Sequence, residues 1–479
     1  MKTNLVKNSL IGVIPFLLIA CSSPNLNKTT SGVATSGVVT QTAQVSQVAF
    51  RPLKTVQLEN GLKIYFIEDQ SLPRVSLEML VKVGLPQEPQ DLDGLNALTA
   101  ELLELGTQKK SATQLADEFG QIGTEMSTAP GGDFTFLSVD SLAKDKNIML
   151  SLFSDVVLNP VFKESEIARV KSNVKARIMK KIDNPSAYTD DQFDRFLFGN
   201  HPYAKDIAGD LKSLNKITKS NITRHYLSWY RPNNSTLAVV GSLTPEFEAQ
   251  VIAAFKDWKS RPLKSEALED VPQAKGLQVK LYSKSGLKQT QIRLGRMGVD
   301  RKTSDFLALR AANEILGGGM ASRLMQKVRD ELGLTYGISS GFEFRKDKGT
   351  FSISTFTKNE SVGQTLQESI KVYDQFVQQG VTEKELEAAK AQMIAQFPRS
   401  LETSDRFGYN LLLLEFYEIP ASYLTDFIKN VESISVSDVN RVIKKYLAAD
   451  QLKVIIFGDE KLILKQLESY KPEVIKVSN

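Results

Sequence analysis

Residues 217–241 read ITKSNITRHYLSWYRPNNSTLAVVG, and residues 434–458 read ISVSDVNRVIKKYLAADQLKVIIFG. Laid over each other without a gap at an offset of 217, they place Ser220 on Ser437, Arg224 on Arg441 and Gly241 on Gly458. Each stretch has helical spacing followed by a short continuous apolar run, Leu237-Ala-Val-Val240 in one and Val454-Ile-Ile-Phe457 in the other, which reads as helix, turn and buried strand. A second block agrees at offset 219, with Glu166-Ile167 and Lys171 against Glu385-Leu386 and Lys390. A period near 217 is too long for a stacked-repeat array and indicates a duplicated domain.

Working outward, Thr55–Asp69 is two strand-like runs around an Asn60-Gly61 turn signal, a hairpin. An alternating strand (75–83), helical segments near 94–105, 112–122 and 142–157, and a long charged helix over about 164–182 follow. This order suits an α+β or α/β domain. The seam between the halves lies in Trp258–Gln278, where Pro262, Pro272, Lys and Glu crowd together.

Composition narrows the chemistry. The 479 residues carry 60 Lys+Arg, 55 Asp+Glu, two His and one Cys, with 42% hydrophobic residues and a net charge of +5. There is no long basic run, so nucleic acid is not an expected partner. One cysteine forms no intrachain disulfide, and His201 and His225, 24 positions apart, cannot form a helical i, i+4 metal pair. Both histidines read as structural or surface residues. Met1–Ala20 reads as a secretory signal, with Lys2 and Lys7 before the apolar run Leu10–Ala20. Its end, Leu18-Ile-Ala-Cys21, resembles the bacterial lipoprotein signal, which implies acylation at Cys21. Ser22 after it implies the outer membrane, with the body facing the periplasm. Residues 22–48 are rich in small polar residues and read as a tether. The expected organisation is a signal at 1–20, lipidated Cys and tether at 21–48, and two domains at 49–262 and 275–479.

Leu316-Gly-Gly-Gly-Met-Ala-Ser-Arg-Leu324, Val328-Arg-Asp-Glu-Leu-Gly-Leu-Thr-Tyr336, Asn200-His-Pro-Tyr203 and Tyr230-Arg-Pro-Asn-Asn234 carry a resemblance. From about residue 50 to 465 the chain resembles the pitrilysin/insulinase metallopeptidases, including their processing-peptidase-like members. The resemblance implies two similar α+β domains in a half-clamshell, each an antiparallel sheet covered by helices on one face. The family's zinc motif is His-x-x-Glu-His on a helix. Gly94 and Gly106-Thr107 keep its frame, but Ala97 and Glu101 stand where the two His ligands belong and Ala100 where the general base belongs. Arg177 takes the place of the third ligand, counted back from Pro185. A catalytic zinc site needs three protein ligands, and Glu101 alone remains; Glu101 and Arg177 would pair instead. No metal is therefore expected in this chain.

The family's second functional element, an Arg/Tyr pair seven residues apart, is matched by Arg329 and Tyr336. In the family it holds the substrate backbone and stabilises the oxyanion. The resemblance thus implies a non-catalytic subunit of a two-chain zinc peptidase. A partner chain of the same family would carry the zinc as a heterodimer, and extended peptides would bind by strand addition. A scaffold or chaperone-like peptide-binding lipoprotein without catalysis, or a homodimeric peptide-binding shell, stays open on sequence alone. Two patterns mislead. Gly337-Ile-Ser-Ser-Gly341 matches a nucleophile elbow, but both His precede it, against the order that mechanism needs. Gly317-Gly-Gly319 lacks the Lys-Ser/Thr of a phosphate loop and reads as a flexible loop at a helix junction.

Overall fold

In the computed structural model, which describes residues 51–263, 268–271, 276–448 and 451–477, the chain forms two six-stranded sheets. The signal segment, Cys21 and the tether lie outside the described residues. The first sheet holds β1 (Leu53–Gln57), β2 (Lys63–Glu68), β3 (Arg74–Val81), β4 (Ser127–Pro130), β5 (Thr135–Leu142) and β6 (Ser235–Gly241), in the order β1-β2-β6-β3-β5-β4. The second holds β7 (Gln278–Ser283), β8 (Gln289–Met297), β9 (Ile338–Glu343), β10 (Thr350–Lys358), β11 (Lys453–Gly458) and β12 (Glu473–Lys476), in the order β12-β7-β11-β8-β10-β9. The fold is α+β, and the repeated sequence blocks occupy equivalent places in its two halves. Their helices, Lys219–Trp229 and Val436–Tyr446, both open on capping boxes, Thr218 with Asn221 and Ser435 with Asp438. No helix among the described residues is long and apolar enough to cross a membrane.

The sheets are mixed, not antiparallel as expected. β6 lies parallel to β2 and antiparallel to β3, and β11 lies parallel to β7 and antiparallel to β8; β12 is also parallel to β7. The cause is connectivity. β6 and β11 arrive after the whole helical layer of their half, and a crossover of that length lets a strand enter parallel to its neighbour. Each inserts between two strands that are consecutive in sequence.

Helices also cover both faces of each sheet, where one face was expected. Six helices matter here: α1 (Leu95–Leu103), α2 (Glu164–Lys180), α3 (Pro185–Phe198), α4 (Phe306–Asn313), α5 (Glu383–Ser400) and α6 (Ser404–Phe416). Side chains alternate across a strand. On the first sheet Ile64, Phe66, Leu237 and Val239 face the helices of their own half, whereas Ile67, Leu80 and Val240 join the core of the second half. The second half supplies the cover on that face: α6 packs across β3 and β6, and its Phe407, Leu411 and Leu414 are buried. In return α3 crosses from the first half to β8 and β11 of the second sheet, burying Phe193, Leu197 and Phe198 with Ile455. α3 and α6 follow α2 and α5 in the same order, so the duplicated halves exchange equivalent helices.

Polar contacts fix the exchange. Lys63 and the Tyr65 hydroxyl reach Glu415 at 2.8 and 3.0 Å, and Arg74 pairs with Asp405 at 2.6 Å. Reciprocally, Arg293, 4% exposed, pairs with Asp190 and donates to Ser186 Oγ at 2.7 Å, and Arg345 pairs with Asp194 at 2.9 Å. At Gly408 α6 lies close against the sheet. A Cβ there would sit 3.0 Å from both Glu78 Oε2 and Val240.

Glu78 is buried in this interface, and its Oε2 has no hydrogen-bond partner. Burial, reinforced by the charge of Asp405, pushes its carboxyl up from 4.5 to about 9. The folded state therefore holds a proton that the unfolded chain releases, and stability falls as pH rises from 4.5 towards 9. Glu78→Gln is expected to stabilise the fold at neutral pH by about 1–2 kcal/mol, with the gain vanishing near pH 4. Urea denaturation of both proteins across that range checks the sign; an equal effect at every pH would contradict it.

Candidate functional site

α1 begins at Gly94, whose φ of +88° needs glycine and whose hydrogen side faces the chain at Ala208; a Cβ would lie 2.5 Å from the Ala208 carbonyl oxygen. The buried Glu88 carboxylate accepts from the backbone N–H groups of Gly94 at 3.1 Å and Asn96 at 2.8 Å, satisfying donors that the first helical turn leaves free. Burial nevertheless pushes Glu88 up to about 8. Asn96 donates to Thr135 Oγ1 of β5 at 2.9 Å and accepts from His225 Nε2 at 3.2 Å. α1 is thereby tied to the sheet and to the helix Lys219–Trp229 by a polar network inside the core.

The face of α1 that follows carries Ala97, Ala100 and Glu101. Ala100 is fully buried, and Glu101 Oε2 accepts from Arg177 Nη2 of α2 at 2.6 Å. The pairing expected between these two residues is present, with both side chains a third to a half exposed. At this position the donor set is one carboxylate, already bound to a guanidinium, between two methyl groups. Among the described residues no three His, Cys, Asp or Glu side chains converge so as to hold a metal ion. Just past the end of α1, burial raises Glu104 to about 7, with Thr128 of the edge strand β4 hydrogen-bonded to it and Glu101 and Glu125 adding repulsion.

The two histidines serve the framework. His201 accepts from the Tyr203 N–H through Nδ1 at 3.2 Å and meets Asp347 through Nε2 at 3.2 Å. His225 is buried, and burial lowers it to about 3, so the ring is neutral. Neither lies on α1 or approaches Glu101.

In the second half, α4 runs into a π-helical turn, Glu314–Gly318, and a second π-helical segment spans Met325–Glu331. The glycine-rich stretch is less loop-like than its sequence suggested. Gly317 and Gly318 are helical, and Gly317 presses on β9, where a Cβ would stand 2.5 Å from Ser340 N. Arg329 lies in the second segment, with its guanidinium carbon 5.5 Å from the centre of the Tyr336 ring, within cation–π range. Its Nη1 also lies 3.7 Å from the sulfur of Met320. Tyr336 is 82% exposed. The Arg/Tyr pair read from sequence is therefore joined in space, with Arg329 half-buried, Tyr336 exposed and Met320 beside them. Gly337–Gly341 leads into and forms β9, a strand and not a strand–turn–helix elbow, so Ser339 has no nucleophile geometry.

Glu88, Asn96, Glu104 and Met320 were not foreseen. Glu88 sits in Leu85-Pro-Gln-Glu-Pro89, where no periodicity marks a carboxylate as a helix cap. Asn96 and Glu104 act through partners 39 and 24 positions away.

Two family models match the chain. Residues 63–211 match the insulinase (peptidase family M16) model, and residues 216–393 match the model described as the peptidase M16 inactive domain. An uncharacterized zinc protease of Bacillus subtilis is 25% identical over 84% of this chain and 98% of its own length. One of Rickettsia felis is 25% identical over 79% and 91%. A crystal structure of a peptidase M16 inactive domain from Pseudomonas fluorescens superposes with a TM-score of 0.78 at 28% identity, covering 85% of this chain and 98% of that one. A protease from Helicobacter pylori, 20% identical, shares the fold with a TM-score of 0.77 over 85% and 99%.

Neutral, buried His225 gives the network around α1 an acid limit. Its folded-state pKa lies below the 6.5 of the free ring, so stability present above pH 6.5 is lost as pH falls towards 3. His225→Gln is expected to flatten that fall between pH 6.5 and 4, whatever it does to stability at neutral pH. Thermal melts at intervals across this range would show it; an unchanged acid slope would count against His225.

Proposed function

Because the chain belongs to the M16 insulinase family of peptidases, we propose that it is the non-catalytic subunit of a two-chain zinc peptidase, supplying Arg329 and Tyr336 to a partner of the same family. The observation that carries this reading is a contrast between the two halves. The zinc frame of α1 holds Ala97, Ala100 and a Glu101 bound to Arg177, whereas a half-buried Arg329 stands against an exposed Tyr336. Those four side chains do not fit a zinc ion: one engaged carboxylate cannot replace three ligands. The chemistry of a metal is therefore assigned to the partner chain.

In this reading the Tyr336 hydroxyl and the Arg329 guanidinium act as donors to charge developing on a peptide carbonyl oxygen held between the two chains. Their stacking limits the freedom of both side chains before substrate arrives, so less entropy is lost on binding. Extended peptides would pair with a free sheet edge. β4, flanked by α1, and β9, directly after Tyr336, are such edges. The body would be held at the periplasmic side of a bacterial outer membrane by acyl chains on Cys21.

The chain alone is expected to hydrolyse no peptide. Mixed with a zinc-bearing family member, it should support cleavage of unfolded peptides. Tyr336→Phe should then lower turnover by roughly 10- to 100-fold, somewhat less than loss of a fully buried oxyanion donor. Zinc-dependent hydrolysis by this chain alone, or turnover indifferent to Tyr336→Phe, would sink the proposal.

The frame itself can be tested apart from activity. If α1 and α2 still hold the geometry of the family's metal site, Ala97→His, Ala100→Glu, Glu101→His and Arg177→Glu together should confer stoichiometric zinc binding. The native chain should bind none. Metal analysis of both proteins after dialysis distinguishes these outcomes.

A further inference from the structure

The registers of the first sheet bring several loops to one end. Leu53 pairs with Ile67 and Arg74 with Leu142, so the start of β1, the β2–β3 turn and the end of β5 lie together. β6 ends there too, since Gly241 pairs with Glu68 and Val75. The helix Lys146–Leu158 starts at the same end, with Lys146 Nζ 3.4 Å from the Ser242 carbonyl oxygen.

This end exposes apolar side chains. Leu53, Leu72, Leu142 and Ile148 are 40, 63, 52 and 50% exposed. Leu72 is the most exposed aliphatic side chain among the described residues. Single exposed leucines are ordinary, but here Leu72 in the β2–β3 turn, Leu53 at the start of β1, Leu142 at the end of β5 and Ile148 in the first turn of the neighbouring helix are exposed at the same end of one sheet. The charges there are largely internal pairs. Arg51 holds Asp69 at 3.1 Å, Arg74 holds Asp140 at 2.9 Å, and Lys144 holds Asp145 at 2.6 Å. Lys144, 73% exposed along its side chain and two residues from Leu142, has the apolar stem and charged head suited to a headgroup boundary.

The chain also enters the fold here. Arg51 is anchored to Asp69 and to the Leu401 carbonyl oxygen, thirty residues after Cys21. Thirty residues span at most roughly 100 Å. Of the folded body, this end is nearest the anchor along the chain.

We propose that this end of the first sheet, led by Leu72 and Leu142, is the surface that rests on the lipid bilayer. The inference depends on acylation at Cys21 as read above. A few partly buried leucines are too weak to recruit a protein to a membrane unaided. On an already anchored chain the contact becomes intramolecular, and a high effective concentration makes a weak patch sufficient. The bilayer contact then sets which face of the protein, and so which sheet edges, point away from the membrane.

The test uses the full-length acylated chain, whose only native thiol is consumed by the lipid. Leu72→Cys and, as a control, Met179→Cys (Met179 is 58% exposed on α2) are labelled with an environment-sensitive fluorophore. The proteins are reconstituted into phosphatidylethanolamine–phosphatidylglycerol vesicles containing a brominated lipid. The probe at 72 should shift to the blue and be quenched several-fold more than the probe at 179, and Leu142→Glu should reduce that quenching. Equal quenching at both sites in acylated, vesicle-bound protein would overturn the inference while leaving the anchor intact. A blue shift at 72 before vesicles are added, lost on dilution, would overturn it in favour of a second copy of the chain covering the patch. Mass spectrometry showing Cys21 unmodified, with no vesicle binding, would instead remove the anchoring reading and this inference with it.

Discussion

Two strands that neither half can cover alone set the architecture. β6 is buried along its whole length, and β11 nearly so, so each presents an apolar row to both faces of its sheet. The helices of one half can shield one face. The other face is shielded by the helix that the duplicate half sends across, α6 onto β6 and α3 onto β11. A fully buried Val, Leu or Phe contributes about 1.5–3 kcal/mol relative to exposure, so the apolar contacts of either crossing helix amount to much of a domain's net stability. Neither half would then be expected to fold well by itself, although each carries a full sheet. The partly exposed ion pairs at Glu415 and Asp405 fix the direction of crossing more than they add stability, since such pairs contribute little. Arg293 and Arg345, by contrast, are buried, so removing a partner would leave a buried charge short of its pairing.

The same dependence explains what could be read from sequence. The hairpin around Asn60-Gly61 was legible because its signal is local. Gly61 takes a φ of +92°, and Asn60 Oδ1 accepts from Leu62 N at 3.1 Å, two residues away. The repeat was legible because its two helices begin with the same capping chemistry. α3 was not, because the use of its apolar face at Phe193, Leu197 and Phe198 is defined by a sheet that starts some eighty residues later. β4 escaped notice as a four-residue polar edge ending in Pro130, which carries almost no strand signal. The parallel pairing of β6 could not be seen either; nothing in the strand itself records which neighbour it will meet.

At the site, side chains that form a local frame were readable and those that form a network were not. Counting along the frame led to the expectation that Glu101 and Arg177 pair, and they do. Arg329 and Tyr336 could be placed in the same way, because a short segment brings both to one surface. What holds α1 in position is different: Glu88 on its first turn, and Asn96 between Thr135 and His225.

That division bears on how α1 keeps its place while its partly exposed side chains vary. A half-exposed Glu101–Arg177 pair is worth about 0–1 kcal/mol, too little to position a helix. The buried hydrogen bonds at Glu88 and Asn96 are individually stronger constraints, since breaking any one leaves a desolvated group unpaired at a cost of about 1–3 kcal/mol. They lie on the first turn of α1 and its buried side, one turn ahead of the buried Ala100. The position of α1 is therefore set by Glu88 and Asn96 more than by the Glu101–Arg177 pair. In the second half the corresponding helix, α4, continues into a π-helical turn that packs on edge strand β9 as α1 packs on β4. One scaffold element thus presents two different surfaces, an ion pair beside one sheet edge and a half-buried Arg329 against an exposed Tyr336 just ahead of the other.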